Sequence, residues 1–433
     1  MSRFGISGEA KARLLDRLSS LGGTRAPVRE TTTARPRLGD PTVYDELDLM
    51  QRAAEEFGLT NPFFRVHAGM ARDTTEIGNR TLLSFASYNY LGLNGDARVN
   101  GAAVEAIGRY GTSVSASRLV SGERPVHGQL EAALAQVYDA EDCIAMVSGH
   151  ATNVTVIGHL VRPGDVILHD QLAHNSIIQG ALLSGAQRVA VPHNDPAALD
   201  RALRQAAAQA RRMLVVIEGH YSMDGDIPDL AAIIAVVRRH GAWLMVDEAH
   251  SLGVLGARGL GIAEECGVDR RGVDIWMGTL SKSLVGCGGY VAASREIISY
   301  LRASAPGFVY SVGMPPPIAA AALEALRIMH AEPERVAQLR ANATLFNARC
   351  RSLGLDTGSS IGAAIVPVMI GSSLRAARVA EALFEHGINV QPILYPAVPE
   401  RSARLRYFIT ASHTAEQLEQ AAQATAAAVT ALG

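Results

Sequence analysis

The stretch AWLMVDEAHSLGVLGARGLGIAEECGVDRRGVDIWMGTLSKSLVGCGGYVAA, residues 242–293, holds three short apolar runs: AWLMVD (242–247), VDIWM (273–277) and YVAA (290–293). They are continuous rather than alternating, so each reads as a strand buried on both faces. Working towards the N-terminus, the same kind of run recurs at CIAMVS (143–148), DVILHD (165–170), QRVAV (187–191) and MLVVIE (213–218). Ala-rich amphipathic segments at 125–137, 151–161, 174–184, 196–210 and 229–240 separate most of them. Buried strands alternating with helices predict an α/β fold, a mostly parallel seven-stranded sheet with helices on both faces. Ligands bind such sheets at the carboxyl ends of the strands. Asp170, Glu218, Asp247 and the segment Gly278–Lys282 all follow predicted strand ends.

Lys282 lies in GTLSKSLVGCGGY (278–290). A loop lysine is ordinarily a solvated charge. This one follows a buried strand and precedes Gly286, Gly288 and Gly289, which permit close backbone approach to a ligand. Asp247, 35 residues earlier, ends an apolar strand, where a carboxylate is costly without a partner. A protonated pyridine nitrogen is such a partner. An amine, a strand-end carboxylate, and hydroxyls with backbone amides for a phosphate are the parts of a pyridoxal 5′-phosphate (PLP) site. His250, three residues past Asp247, can bond the cofactor's ring oxygen. His174, in LAHNSIIQG (172–180), opens a helix after a strand end, where its ring can stack on a flat cofactor or serve a purely structural role. SGHATN (148–153) is a strand-to-helix turn whose Gly149 and His150 amides suit a phosphate, with Thr279 and Ser281 adding hydroxyls. Arg406, in RLRYFITASHT (404–414), suits a bidentate grip on an amino-acid carboxylate, with Arg404 as its competitor.

Composition agrees with a globular enzyme. The chain has 433 residues, 48% apolar and 19% charged, with a formal net charge of −2. That balance offers no basic field for nucleic acid and no polybasic surface for a membrane. The apolar stretches fall short of a membrane span, and MSRFGISGEAKAR lacks the apolar centre of a signal peptide. Cys143, Cys266, Cys287 and Cys350 are scattered, with no metal-ligand or CxxC spacing. They fit a reducing cytoplasm and no metal site.

Three regions are expected. Residues 1–60 form an extension: a helix with Leu14, Leu15, Leu18 and Leu21 on one face (7–21), a Thr/Arg/Pro-rich linker (24–41) and a second helix (42–57). Residues 61–315 form the large domain, with an N-terminal arm at 61–96. Met314-Pro315-Pro316-Pro317 marks a boundary. Residues 316–433 then form a smaller α+β domain of helices at 318–331, 334–352 and 374–386, strands at 363–370 and 387–394, and a final helix.

Taken together, SYNYLGL (87–93), GTSVSASRLVSG (111–122), HNSIIQG (174–180), EGHYSMDGDIPDL (218–230), VDEAHSLGVLGARGLG (246–261), GTLSKSLVGCGG (278–289) and ARLRYFITASHT (403–414) resemble the α-oxoamine synthases over residues 61–425. The resemblance implies the aspartate-aminotransferase-like PLP fold, a homodimer with shared active sites, and acyl transfer from a thioester to a small amino acid. By position it implies that Lys282 holds PLP, Asp247 pairs with the pyridine nitrogen and His174 stacks on the ring. His250 and Ser222 contact the ring oxygen, Gly149, His150 and Thr279 take the phosphate, and Arg406 takes the substrate carboxylate. Three positions depart from the common pattern. Val312-Gly313 stand where several members have a Thr or Ser that reaches the partner's phosphate. Tyr88-Asn89, which would face the substrate, are the serine-palmitoyltransferase-like variant of a commoner Asn-Asp. His220 stands at a usually apolar position. The chain also resembles the α-oxoamine synthase modules of polyketide assembly lines, which draw their acyl group from an acyl carrier protein. The helix at 7–21 would then be a docking element or an extra helix on the dimer. Another PLP activity of the same fold, such as an aminotransferase, and a non-catalytic partner subunit are the alternatives.

Overall fold

In a computed structural model of the protein, residues 60–432 are described. The helices expected at 7–21 and 42–57, and the linker between them, lie outside the described residues. The arm carries β1 (His67–Ala68), β2 (Thr74–Ile77) and β3 (Arg80–Ser84). The large domain contributes β4 (Asp142–Met146), β5 (Val166–Asp170), β6 (Gln187–Val191), β7 (Met213–Glu218), β8 (Trp243–Asp247), β9 (Ile275–Thr279) and β10 (Gly289–Ala293). These form one seven-stranded sheet in the order β4-β10-β9-β8-β7-β5-β6. β10 runs antiparallel to both its neighbours, and the pairs β5–β6, β5–β7, β7–β8 and β8–β9 are parallel.

Neighbouring residues along each strand enter different cores. Ile144, Leu214, Met245 and Met277 pack into one apolar cluster, while Cys143, Val215, Leu244 and Trp276 pack into another. Burial on both faces is the reason these strands read as continuous apolar runs. β9 extends two residues beyond the apolar run at 273–277. Gly278 and Thr279 stay in the ladder opposite Tyr290 and Gly289. A Cβ at Gly278 would meet the Tyr290 hydroxyl at 2.2 Å, so only glycine lets the strand continue there. This extension carries Thr279 to the same sheet edge as Asp170, Glu218 and Asp247.

The last strands are β11 (Ile365–Gly371), β12 (Ile388–Asn389), β13 (Gln391–Ile393) and β14 (Ala403–Phe408). The single strand expected at 387–394 is two. β12 pairs in parallel with β3 of the arm, and β13 pairs antiparallel with β14, so the chain changes sheets at Val390. β14 lies between β11 and β13.

The helix that follows the expected boundary at 315/316 packs on the large domain. The helix Pro316–Ala331 begins with its prolines in the first turn, where the missing amide is harmless. Its Ala319, Ala322, Leu323 and Leu326 join the core of the large domain. The second core starts only in the next helix, Glu334–Ser352. Val336 and Leu339 face the first core, whereas Ala343, Phe346 and Cys350 face the second. The arm crosses over as well. Phe85 sits in the second core, its ring 5.8 Å from Phe346, 5.3 Å from Tyr407 and 4.5 Å from His413. The arm therefore clamps the two domains together, and SYNYLGL follows directly from that clamp.

Candidate active site

Three strand ends build the floor. Glu218 and Asp247 are in register on β7 and β8, and Asp247 is opposite Met277 of β9. Asp247 is buried. Its Oδ1 accepts from the Ala249 amide at 2.9 Å and its Oδ2 from Asn153 Nδ2 at 2.7 Å. Asn153 Nδ2 also reaches Ser176 Oγ at 3.0 Å, and that hydroxyl lies 2.8 Å from His174 Nδ1. The His174 ring is exposed, as a stacking face must be. Glu218 holds the same residue from behind, accepting from the His174 amide at 2.6 Å. Burial and the nearby charge of Asp247 push the Glu218 carboxyl well above the usual range.

Lys282 is partly buried in the loop after β9. Desolvation lowers its ammonium to about 8, against the attraction of Asp247 and Glu218. Its Nζ is 5.8 Å from the centroid of the Tyr88 ring. It lines a cavity of ≈ 460 Å³ walled by the arm, by Ser84–Asn89 and by its own loop. Asp247 and His174 are not among the residues lining that cavity.

The helix Gly149–Leu160 starts at the same edge. Its N-cap Ser148 takes the Ala151 amide at 3.3 Å, and the first intrahelical bond runs from Thr152 N to Ser148 O. The Gly149 and His150 amides have no intrahelical partner. A Cβ at Gly149 would lie 2.7 Å from Thr279 Oγ1. The absence of that carbon leaves a cradle of two amides, the Thr279 hydroxyl and, 3.1 Å from it, the Ser281 hydroxyl. An anion fits the two amides and the Ser281 hydroxyl, with the Thr279 hydroxyl, which here donates to the Gly288 carbonyl at 2.9 Å, free to turn towards it. His150 stands over the cradle, its ring 6.3 Å from that of His174.

His250 is buried, and its Nδ1 is 2.8 Å from the Tyr90 hydroxyl. Arg404 and Arg406 share one face of β14, two residues apart. Arg404 is engaged by Asp224 Oδ1 at 2.5 Å and the Met223 carbonyl at 3.0 Å. Arg406 donates from Nη1 to the Ser222 carbonyl at 3.1 Å, while its Nε is buried with no hydrogen-bond partner among the described residues. Of the two, Arg406 is the cation with no carboxylate partner among the described residues. Ser222 is buried behind it.

The residues singled out from sequence thus fall into one region. Tyr88 packs edge-on against Phe408, ring centroids 4.7 Å apart, and lines the cavity beside Lys282. Asn89 lines it too, but its amide is engaged structurally: Nδ2 donates to the Ala71 carbonyl at 2.9 Å and Oδ1 accepts from the Asn94 amide at 3.1 Å. Gly313 donates to the Ala116 carbonyl at 3.0 Å, and Val312 beside it is exposed. Asn153, Ser176 and Tyr90 were not legible as site residues. The one available signal for Asn153 was an amide four residues past Gly149, on the helix face that also carries Val156 and Ile157. His220 is buried behind His250, its Nδ1 donating to the His250 carbonyl at 3.1 Å. An aldehyde-bearing, phosphorylated pyridine such as PLP fits these donors, with a low-pKa amine, a strand-end carboxylate and an anion cradle at one edge.

Comparison with known proteins agrees. Residues 80–424 match the family described as aminotransferase class I and II. The chain is 39% identical over 377 residues to an 8-amino-7-oxononanoate synthase of Symbiobacterium thermophilum, covering 87% of this chain and 94% of that protein. It is 43% identical over 344 residues to one of Anaeromyxobacter sp., covering 79% and 85%. Among solved structures it is similar to the serine palmitoyltransferase of Sphingomonas wittichii, with a TM-score of 0.87 and 31% identity over 90% of this chain and 98% of that one.

Proposed function

We propose, from the premise that this chain belongs to the aminotransferase class I and II family and within it to the α-oxoamine synthases, that it joins a small amino acid to an acyl group. The amino acid is glycine, alanine or serine. The acyl donor is a thioester of coenzyme A or of an acyl carrier protein, and the product is an α-amino ketone formed with loss of thiol and carbon dioxide. The enzyme is an acyltransferase that uses PLP, as the related structures described as serine palmitoyltransferase with PLP do.

The observation that carries this reading is the placement of Lys282, with its lowered pKa, at the strand edge that holds Asp247. PLP supplies an aldehyde that links to amines and a pyridine ring that draws electrons from the amino-acid α-carbon. Lys282 would hold the cofactor through its amine; as a free neutral amine it would take the α-proton, and as the resulting ammonium it would give it back. Asp247, held in place by Asn153 and the Ala249 amide, would pair with the pyridine nitrogen and keep it protonated. The Gly149 and His150 amides with Thr279 and Ser281 bind the phosphate. His174 covers one face of the ring, and His250 meets the ring oxygen from beside Ser222. Arg406 grips the amino-acid carboxylate, with the Tyr88 ring close to both the lysine and Phe408. The cavity between the arm and Lys282 admits the thioester.

A second copy of the chain completes the site. Support comes from Leu119, Val120, Tyr310 and Val312, apolar and exposed beside the Gly313–Ala116 hydrogen bond. Among the described residues no helix is long and apolar enough to cross a membrane, and all four cysteines are free, which suits a reducing cytoplasm.

The test is to supply PLP-loaded enzyme with glycine, L-alanine or L-serine and a set of acyl thioesters, and to follow thiol and carbon dioxide release. Release of both with one amino acid is expected. Conversion of the cofactor to its amine form by amino acid alone would identify an aminotransferase instead.

A further inference from the structure

The Tyr90 hydroxyl lies 2.8 Å from His250 Nδ1, and the Tyr90 side chain is fully buried. Two arrangements satisfy that distance. If Nδ1 carried the proton, the phenol oxygen would accept it, and the phenol's own proton would be left without an acceptor in a dry site. A buried unpaired donor is costly. If the phenol donates, Nδ1 is a bare lone pair and no donor is wasted. The second arrangement holds, and the imidazole then keeps its single proton on Nε2. Burial drives both groups the same way. It raises the Tyr90 phenol well above its ordinary pKa, so the phenol keeps its proton. It lowers His250 well below its own, so the ring stays neutral.

The ring's orientation is also held. It lies nearly parallel to Phe408, at 8° and 6.4 Å between centroids, and perpendicular to Tyr88, at 83° and 6.0 Å. His220 secures its backbone carbonyl. We propose that Tyr90 is a positioning residue: by donating to Nδ1 it fixes His250 as the Nε2–H tautomer and makes it a hydrogen-bond donor towards the cofactor's ring oxygen. The inference rests on the reading that His250 meets that oxygen. The opposite tautomer would set a lone pair against an electron-rich oxygen.

The experiment is nitrogen NMR of the full-length enzyme labelled at histidine, with and without PLP, the His250 signal being assigned by its loss in His250→Phe. The wild type is expected to show the Nε2–H tautomer in both states. Tyr90→Phe keeps the ring and its packing, so circular dichroism and the melting temperature report whether it folds. In that variant a mixture of tautomers is expected, with PLP held roughly tenfold less tightly. An Nδ1–H tautomer in the wild type, or an unchanged Nε2–H tautomer in Tyr90→Phe, overturns the proposal. Undiminished PLP affinity in His250→Phe would instead overturn the reading that His250 meets the ring oxygen, whatever the tautomer.

Discussion

Asn153 donates to Asp247 at 2.7 Å from a helix that begins at the anion cradle, so one helix serves both ends of the cofactor site. Its first turn offers the amides for the phosphate. One turn further in, Asn153 steadies the Asp247 carboxylate and, through Ser176, the ring of His174.

Removing that amide by Asn153→Ala leaves Asp247 with the Ala249 amide alone. A hydrogen bond to a charged group is lost, so PLP is expected to bind roughly tenfold more weakly by equilibrium dialysis. Equal affinity would show that Asp247 needs no such support.

Lys282→Ala is expected to fold and to release PLP on gel filtration, since no other amine is placed to hold it. Turnover falls by about a thousandfold or more, the scale of general acid–base catalysis. Retained turnover would remove Lys282 from the mechanism.

Because the folded environment lowers Lys282 to about 8, its amine is neutral above that pH and protonated below it. Only the neutral amine attacks an aldehyde. Capture of PLP by the cofactor-free enzyme should therefore quicken about tenfold per pH unit up to that value and level off beyond it, read by stopped-flow absorbance. A rate still climbing to pH 10 would mean that the lysine is not depressed.

Arg404 and Arg406 predict opposite phenotypes. Arg404→Ala strands Asp224 and is expected to cost stability, on the order of 3 kcal/mol in a denaturant titration. Arg406→Ala strands no carboxylate: it frees a carbonyl and a thioether and uncovers the Phe408 ring. Its cost should fall on the amino acid, with kcat/KM lowered by about a hundredfold through KM. Equal effects on folding would contradict this division.

Glu248 is fully buried against the Ile262 amide, and burial raises its carboxyl to about 8. In the unfolded chain it titrates near the ordinary carboxylate value. Between those two values the native state binds the extra proton, so stability falls as pH rises through this window and is flat above it. Glu248→Gln removes the titration. Its stability relative to the wild type should rise between pH 5 and pH 8, by on the order of 3 kcal/mol. A pH-independent difference would place the Glu248 carboxyl at an ordinary value.

Much of the fold was legible because burial on both faces writes itself into the strands as uninterrupted apolar runs. β7, buried along its whole length, begins and ends where its run does. What failed was anything set by pairing rather than hydropathy. Gly278-Thr279 is polar and small, yet belongs to β9 because Tyr290 and Gly289 lie opposite. The run at 387–394 reads as one strand, yet splits because two sheets offer edges to it.

By itself the sequence determined the α/β class, the strand-end chemistry of Asp247 and Lys282, and the glycines that let a backbone approach a phosphate. These are properties of short segments, carried by residue type and local order. Tertiary structure alone decided that the arm clamps two cores through Phe85, that Arg404 rather than Arg406 is paired with a carboxylate, and that Asn153 and Tyr90 orient Asp247 and His250. Each of those depends on which atoms meet across long stretches of chain, and hydrogen-bond partners at such separations leave no periodic trace in the sequence.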